Sequence, residues 1–428
     1  MLDIKYIREN QEVVRQAIKN KNAQIDFDKL LALDARRREL METSEGVRAE
    51  QNRKSKGPQL PESIEELKGL KEKFKVLVQE LETVEKEYNE LVLKVPNIPT
   101  EDTPIGVSEE ENKVVKTVGE PKRFDFKPKT HWELAQGLDL IDKERAAKVS
   151  GARFAYIKGD LVKLQFALMQ FTSDQLTDPK VIKKIVKANN LKISDKPFVL
   201  VLPPALIKTE TYRETARLNS QEMTYKLEGD DLWLNASAEH SLCPMYRGET
   251  LNEDQLPIRY LGYTTAFRRE AGTYGKDMEG ILRMHQFDKL ELESFSTKDL
   301  SFDEHLFFVA VQEYLMQQLD IPYHVLLKCT ADIGHANARG VDIEAWMPGQ
   351  DRYRETHTAD YMTDYQTRRL QTKVRRANGD LELAHTNDAT AFALGRAMIA
   401  IMENYQTKEG TIKIPKVLHK YTGFKEIK

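Results

Sequence analysis

Cysteine is nearly missing from this sequence of 428 residues: Cys243 and Cys329 stand far apart and form no CxxC pair. That excludes a disulfide framework and a thiolate zinc site, so both thiols are expected to be reduced and buried, and no zinc is expected. No apolar run approaches the roughly 20 residues a membrane-spanning helix needs. The first residues, MLDIKYIREN, carry charge where a secretory leader is apolar. A cytoplasmic protein with no membrane partner is expected. Positive charge in excess is also missing: Lys and Arg number 65 against 68 Asp and Glu, a formal net charge of -3, so any surface for nucleic acid must be local. The nine histidines are scattered without an HExxH pair, which leaves a metalloprotease-type centre without support. There is no GxxxxGKS/T phosphate loop; the nearest string, Gly272-Thr-Tyr-Gly275-Lys276, has two residues where that loop needs four.

What is present divides the chain in two. From Ile64 onward, Leu67, Leu70, Phe74, Leu77, Leu81, Val84, Tyr88, Leu91 and Val95 recur at spacings of three and four, which keeps one seam on one side of a helix. A weaker seam runs through Leu30, Leu33, Leu40 and Val47, and the stretch 54–61 between them holds a glycine and two prolines that permit reversal. The pair reads as an antiparallel helical hairpin, a coiled-coil arm over about residues 26–95. Continuous helix from 64 to 95 is on the order of 48 Å long at about 1.5 Å per residue, longer than a globular core requires. Such a hairpin serves either as a dimerisation coiled coil or as a binding arm. Its tip carries Arg48, Arg53, Lys54 and Lys56 against only Glu50, with Arg36, Arg37 and Arg38 lower down. That is enough charge to contact several phosphates, and a solvated charged face is the alternative.

After Val95, the prolines from Pro96 to Pro104 end the helix and mark a linker, so a boundary is expected near residue 105: a first domain over 1–105 and a second over 106–428. In the second, helix-like segments alternate with β-rich runs at 198–202, 232–234, 258–264 and 323–327. Strands that follow one another without regular crossover helices point to an α+β domain built on an antiparallel sheet flanked by helices.

The string FRREAGTYGKDMEGILRMHQFDKLE, residues 267–291, is the richest in chemistry. Arginine supplies a planar fork for phosphate oxygens, glutamate accepts from an exocyclic amine, and Phe287 offers a ring face to a base. On the residues alone, a charged hairpin with a buried Phe287 is the commoner outcome.

This string closely resembles motif 2 of the class II aminoacyl-tRNA synthetases in the form found in seryl-tRNA synthetases. MLDIKYIREN, VPNIPTEDTPIGVSEEEN, GEPKRFDFKPKTHWEL at 119–134 and ERAAKVSGARFAYIKGDL at 144–161 resemble further segments of the bacterial-type family, in order and along nearly the whole chain. Val201-Leu-Pro-Pro204 resembles the end of motif 1, whose proline in that family packs at a dimer interface. Gly395-Arg396 within ALGRAMIAIMENYQ resembles motif 3. The resemblance implies a homodimeric ligase that activates L-serine with ATP and Mg2+ to seryl-adenylate. It then transfers serine to the 3′ end of tRNA(Ser), with tRNA(Sec) as a further acceptor, and the basic tip at Arg48, Arg53, Lys54 and Lys56 binds the tRNA.

Carried over residue by residue, the resemblance gives Arg268 the α-phosphate of ATP and the serine carboxylate, and Arg396 the γ-phosphate. Phe287 and Arg396 bracket adenine, Glu270 meets its amino group, and Arg269 belongs to the same ATP set. In RETHTADYMTDYQTRR, 354–369, Glu355 and Thr358 match the Mg2+ and ATP segment together with Thr356 and His357. Without the resemblance, that stretch reads as a polar loop leading into a helix. Catalysis then rests on Arg268, Arg396 and Glu355, by placement rather than by a covalent nucleophile.

Ser237-Ala238-Glu239 resembles the family's Thr-x-Glu, with Glu239 and Glu291 near the serine ammonium and hydroxyl. Thr390 falls where the family contacts the serine side chain; it also reads as the N-cap of the helix AFALGRAMIAIM. A pocket that hydrogen-bonds a hydroxyl rejects alanine, because its polar groups are otherwise left unpaired. The pattern departs from the family at Asn387-Asp388-Ala389-Thr390, where the asparagine is shifted by one place, and at 357–362, where a run of small residues is replaced. A lysine-rich segment at 176–196 is added and has no functional reading. The arm speaks against a relative that loads a carrier protein. The retained Arg268, Glu291, Glu355 and Arg396 speak against a non-catalytic tRNA-binding paralogue.

Overall fold

The two apolar seams become two long helices. In the computed structural model, which describes residues 1–56, 61–218, 224–270 and 280–428, helix α1 spans Phe27–Lys54 and α2 spans Pro61–Val92. Residues 57–60, within the stretch expected to reverse the chain, and the string Gly272 to Lys276 lie outside the described residues. Asp26 caps α1 by accepting from Lys29 N at 2.9 Å. Proline opens α2, where the first N–H groups have no intrahelical acceptor to lose. Ion pairs between the helices join Lys29 to Glu87 at 2.8 Å, Arg36 to Glu80 at 2.6 Å, Arg37 to Glu85 at 3.0 Å and Lys54 to Glu66 at 2.7 Å. From Lys29 to Lys54 the partner moves back from Glu87 to Glu66, so the helices run antiparallel. Exposed pairs of this kind contribute little, because water and salt screen them. Cohesion comes from the seam, where Leu30, Leu40, Val47, Tyr88 and Val92 are buried and Leu67, Leu70, Phe74, Leu77 and Leu81 are half-buried.

These helices belong to a compact unit, Met1–Ile98; a second unit spans Pro99–Lys428. The division falls ahead of residue 105 because the proline-bearing stretch is hydrogen-bonded into the second unit. Thr100 N donates to Ala338 O at 2.9 Å, and Gly106 N to Thr330 Oγ1 at 3.1 Å.

The second unit is built on eight strands: β1 Lys113–Val118, β2 Val199–Val201, β3 Ile258–Phe267, β4 Gln286–Ser296, β5 Tyr323–Leu327, β6 Arg339–Met347, β7 Arg352–Thr363 and β8 His385–Ala393. They form one sheet in the order β1-β5-β6-β7-β8-β4-β3-β2. All neighbours are antiparallel except β2, which lies parallel to β3 at the edge. β7 and β8 sit at its centre, so most of the stretch 354–369 is strand and not loop.

Helices α3 Asp160–Leu176, α4 Pro179–Ala188, α5 Ser301–Gln318 and α6 Leu394–Asn404 complete the core. Phe198, Phe307, Leu290, Leu292, Phe392 and Ile401 are buried there. The lysine-rich segment at 176–196 contains α4, whose Ile182 and Ile185 are buried while Lys183, Lys184 and Lys187 are exposed. It is an amphipathic helix covering the core. Cys243 and Cys329 are buried free thiols.

Candidate active site

Alternation along β4 directs Phe287, Lys289 and Glu291 to one face, where they line a cavity of about 350 Å³. Thr390 and Asp388 of β8 line it too; Thr390 sits directly across from Glu291. On the other side of Glu291 the register partner is Gly262 of β3. A side chain at Gly262 would meet Leu242 Cδ1 at 2.7 Å and Ala238 Cβ at 3.1 Å. The bare backbone there lets the segment 235–242 cross close over the sheet, which delivers Ser237 and Glu239 to the cavity.

Glu355 and Thr358 of β7 are three residues apart, a spacing that points to opposite faces in a regular strand. The register moves from Glu344 opposite Glu355 to Ile343 opposite His357, so Thr356 is an extra, bulged residue. The bulge turns Glu355, Thr356 and Thr358 all toward the cavity. Thr358 Oγ1 donates to Asp342 Oδ1 at 2.7 Å. Arg396, in the first turn of α6, donates from Nη1 to Glu355 Oε1 at 2.8 Å and to Glu355 O at 3.0 Å. Burial raises the Glu355 carboxyl, but the charges of Arg396 and Lys328 outweigh it and hold the group at about 2. Burial pushes the Asp342 carboxyl the other way, up to about 8, although Lys328 Nζ lies 3.6 Å away. Arg268 is anchored through Nε on Ala236 O at 3.1 Å, with its guanidinium 5.3 Å from the Phe287 ring centre. Glu270 accepts from Arg283 Nη1 at 3.1 Å.

At the other end the groups are more deeply buried. Ser237 Oγ donates to Glu291 Oε2, and Lys289 Nζ donates to Ser237 Oγ at 3.0 Å and to Glu291 Oε1 at 2.5 Å. Glu239, Glu291 and Asp388 place carboxylate oxygens within 4.8 Å of one another. Arg217 reaches into this group, bonded to Glu239, to Asp388 at 3.0 Å and to Asp360 at 3.5 Å. Burial, then the neighbouring Glu239, raises the Asp388 carboxyl well above the usual carboxylate range. Burial also lowers His240, whose Nδ1 lies 2.9 Å from the Tyr212 hydroxyl.

One cavity therefore gathers Ser237, Glu239, Arg268 and Glu270 with Phe287, Glu291 and Glu355, and Thr356, Thr358, Thr390 and Arg396 line it as well. Three residues from the same motifs do not. Ala238 points from the crossing segment onto Gly262. Arg269 lies over the Tyr225 ring at 5.5 Å. His357 faces the opposite side of β7, buried against the Phe392 ring at 5.2 Å and held near 3 by burial. Thr390 lies within β8 and is not an N-cap: α6 begins at Leu394 behind Ala393.

In the other unit, Arg48, Arg53 and Lys56 are exposed, and among the described residues no carboxylate is paired with them. Lys54 is engaged by Glu66 at 2.7 Å and Glu50 at 3.6 Å.

Lys289, Asp360, Asp388 and Arg217 also line the cavity, although none is a candidate on sequence. Lys289 had a signal, two residues before Glu291 on an alternating strand. Arg217 had none, since its partners lie 22, 143 and 171 residues away.

Known proteins share this arrangement over the full length. The seryl-tRNA synthetase N-terminal domain matches residues 1–99, and the class II core domain of the G, H, P, S and T tRNA synthetases matches 223–405. Serine–tRNA ligase of Symbiobacterium thermophilum is 38% identical over 436 residues, covering 100% of each chain. That of Petrotoga mobilis is 37% identical over 438 residues, covering 99% of each. The crystal structure of seryl-tRNA synthetase from Pyrococcus horikoshii complexed with ATP matches with a TM-score of 0.91 at 35% identity, over 100% of this chain and 99% of that one. This chain belongs to the seryl-tRNA synthetase family of class II aminoacyl-tRNA synthetases.

Proposed function

We propose that the cavity joins L-serine to ATP as seryl-adenylate and that the serine then passes to the 3′ end of tRNA(Ser). The observation that carries this is the meeting, in one cavity, of two arginines and an aromatic ring at one end with buried carboxylates and the Thr390 hydroxyl at the other. Arg268 is bonded to Ala236 O beside Ser237 and lies 5.3 Å from the Phe287 ring centre, in reach of both groups. Its guanidinium serves the α-phosphate and the serine carboxylate together, which brings nucleophile and electrophile into line. A carboxylate oxygen of serine attacks the α-phosphorus, the bond to the bridging oxygen breaks, and pyrophosphate leaves with its electron pair. Arg396 takes the γ-phosphate and closes over adenine from the side opposite Phe287, while Glu270 meets the amino group. Fixed cations suffice for such a loose, highly charged transition state. Glu239 and Glu291 face the serine ammonium, and Thr390 faces its hydroxyl. The 3′-hydroxyl of tRNA then attacks the acyl carbon and AMP departs.

The Glu355 carboxylate, the Thr358 hydroxyl and the Asp342 carboxylate beside it form a hard-oxygen set that suits Mg2+. Held there, the ion supplies neutralisation of phosphate charge. The exposed tip residues Arg48, Arg53 and Lys56 suit the tRNA backbone, with Lys54 already engaged. Val199, Leu200 and Leu202, at and just after edge strand β2, are 57%, 47% and 77% exposed. That apolar edge favours a homodimer in which a second copy covers it. Among the described residues no helix is long and apolar enough to cross a membrane, in keeping with work in the cytoplasm.

Amino-acid-dependent ATP–pyrophosphate exchange over serine, threonine, alanine and glycine tests the reading, followed by charging of tRNA(Ser) and tRNA(Sec). Serine is expected to give the strongest exchange. No serine signal above background, with another amino acid active, overturns the assignment.

A further inference from the structure

Three buried acids stand side by side across the centre of the sheet. Asp360 of β7 is the register partner of Asp388 of β8, and Asp388 is the register partner of Glu293 of β4. All three are less than a tenth exposed. Like charges directly opposite one another on a sheet are destabilising. Burial, then neighbouring carboxylates, raises the Glu293 carboxyl well above its ordinary range. Burial raises the Asp388 and Asp360 carboxyls as well, but these two also face a counter-ion whose charge opposes the shift. Arg217 Nη2 lies 3.0 Å from Asp388 Oδ2 and 3.5 Å from Asp360 Oδ2, Nε bonds Glu239, and Nη1 donates to Asn337 Oδ1 at 3.3 Å. A guanidinium is suited to this task, because its planar fork serves several carboxylates at once.

This cluster is continuous with the recess given above to serine. Asp388 and Glu239 place oxygens within 4.8 Å of Glu291, which lies directly across from Thr390. Lys289 and Arg217 are bonded to these carboxylates, so the trio forms a charge-balanced floor and not a cage for a metal ion.

We infer that Arg217 is a specificity-determining residue of the amino-acid recess: by neutralising Asp360, Asp388 and Glu239, it makes the recess select a small side chain with an uncharged hydroxyl over one with an ammonium. The inference rests on serine being the amino acid that occupies this recess. Arg217 acts through the carboxylates it holds, so it is a positioning residue. Without it, the same carboxylates become a site for a second positive charge on the substrate. 2,3-Diaminopropionate, which is serine with an ammonium in place of the hydroxyl, reports that change directly.

The experiment is ATP–pyrophosphate exchange with serine, alanine and 2,3-diaminopropionate, under mildly acidic conditions that keep the side-chain amine protonated. Arg217→Ala and Arg217→Gln are expected to raise the diaminopropionate-to-serine ratio of kcat/KM by about 10-fold or more, with the KM for ATP little changed. Arg217→Lys, which keeps the charge, should hold the wild-type ratio. Adding Asp388→Asn to Arg217→Ala should bring the ratio back down, a reversal that mere structural damage does not produce. The glutamine variant keeps a polar side chain with an amide donor and covers the case in which the alanine variant does not fold. A ratio within about 2-fold of wild type in both variants overturns the inference, as does proportional loss of all three substrates. Absence of serine exchange in the wild-type protein overturns the assignment of the recess instead.

Discussion

Arg396 Nη1 lies 2.8 Å from Glu355 Oε1, so the cation proposed for the γ-phosphate and the carboxylate proposed for Mg2+ satisfy one another. Bound as proposed, ATP with Mg2+ would bring both opposite charges to the cavity, and each protein group would exchange one partner for another. The Glu355 side chain is 47% exposed, so an incoming cation reaches it from solvent.

Arg396→Ala should therefore separate activity from stability. Serine-dependent exchange is expected to fall by about 100-fold or more, the loss typical of a preorganised charge aimed at the transition state. Stability to urea should change by no more than about 1 kcal/mol, because Glu355 is left beside solvent. Arg396→Lys should recover only part of the rate, since a point charge lacks the guanidinium fork. A large stability loss with unaltered exchange contradicts this placement.

Thr390→Val keeps the shape of the side chain and removes its hydroxyl. The backbone carbonyl of Thr390 accepts from Gln312 Nε2 at 2.9 Å, a bond the substitution retains, so β8 should keep its course. KM for serine is expected to rise about 10-fold, and the serine-over-alanine preference in exchange should narrow, with KM for ATP unchanged. An unchanged serine-to-alanine ratio removes Thr390 from the recognition of serine.

The legible parts of this molecule are those in which periodicity has a single cause. α1 and α2 bury one seam each, so their spacing of three and four stands in the sequence. β3 and β5 read as strands because β-branched and aromatic residues fill them. β7 and β8, RYRETHTADYMT and HTNDATAFA, do not. They lie at the centre of the sheet, yet one face lines a cavity for charged groups, so polar residues stand where a buried strand is expected to be apolar. The bulge at Thr356 further breaks the alternation, and without the family resemblance Glu355 and Thr358 would not have been placed together. Arg217 was illegible for a third reason: its meaning lies in carboxylates far away in sequence and adjacent only after the sheet has formed.

His305 should make the protein sensitive to acid. Arg339 Nη1 donates to His305 Nε2 at 2.8 Å, which requires that nitrogen to be unprotonated. Burial and then the Arg339 charge push the group from its ordinary 6.5 down to about 3. Between those values the unfolded chain binds a proton that the folded chain does not. The stabilising contribution is thus complete above about 6.5 and is lost progressively as pH falls toward about 3. The slope is at most about 1.4 kcal/mol per pH unit. His305→Gln offers Arg339 an acceptor that does not titrate. Its urea-unfolding free energy should fall less steeply with acidification than that of wild type, and parallel curves contradict the assignment.

The tip of the hairpin should bind nucleic acid by charge alone. Arg48, Arg53 and Lys56 are exposed, whereas Lys54 is committed to Glu66. Replacing the three exposed residues by alanine should raise KM for tRNA and flatten the dependence of log affinity on log salt by roughly 2 to 3 units, about one for each phosphate that the variant no longer neutralises. Lys54→Ala should have the smaller effect on tRNA. A chain beginning at Pro99, where the second compact unit starts, should retain serine-dependent exchange and lose tRNA charging. Filter binding across a salt series, run beside pyrophosphate exchange, measures both. An unaltered salt slope in the triple variant removes the tip from the tRNA surface, and equal loss of exchange and charging in the shortened chain shows that the hairpin is not a separate tRNA-binding module.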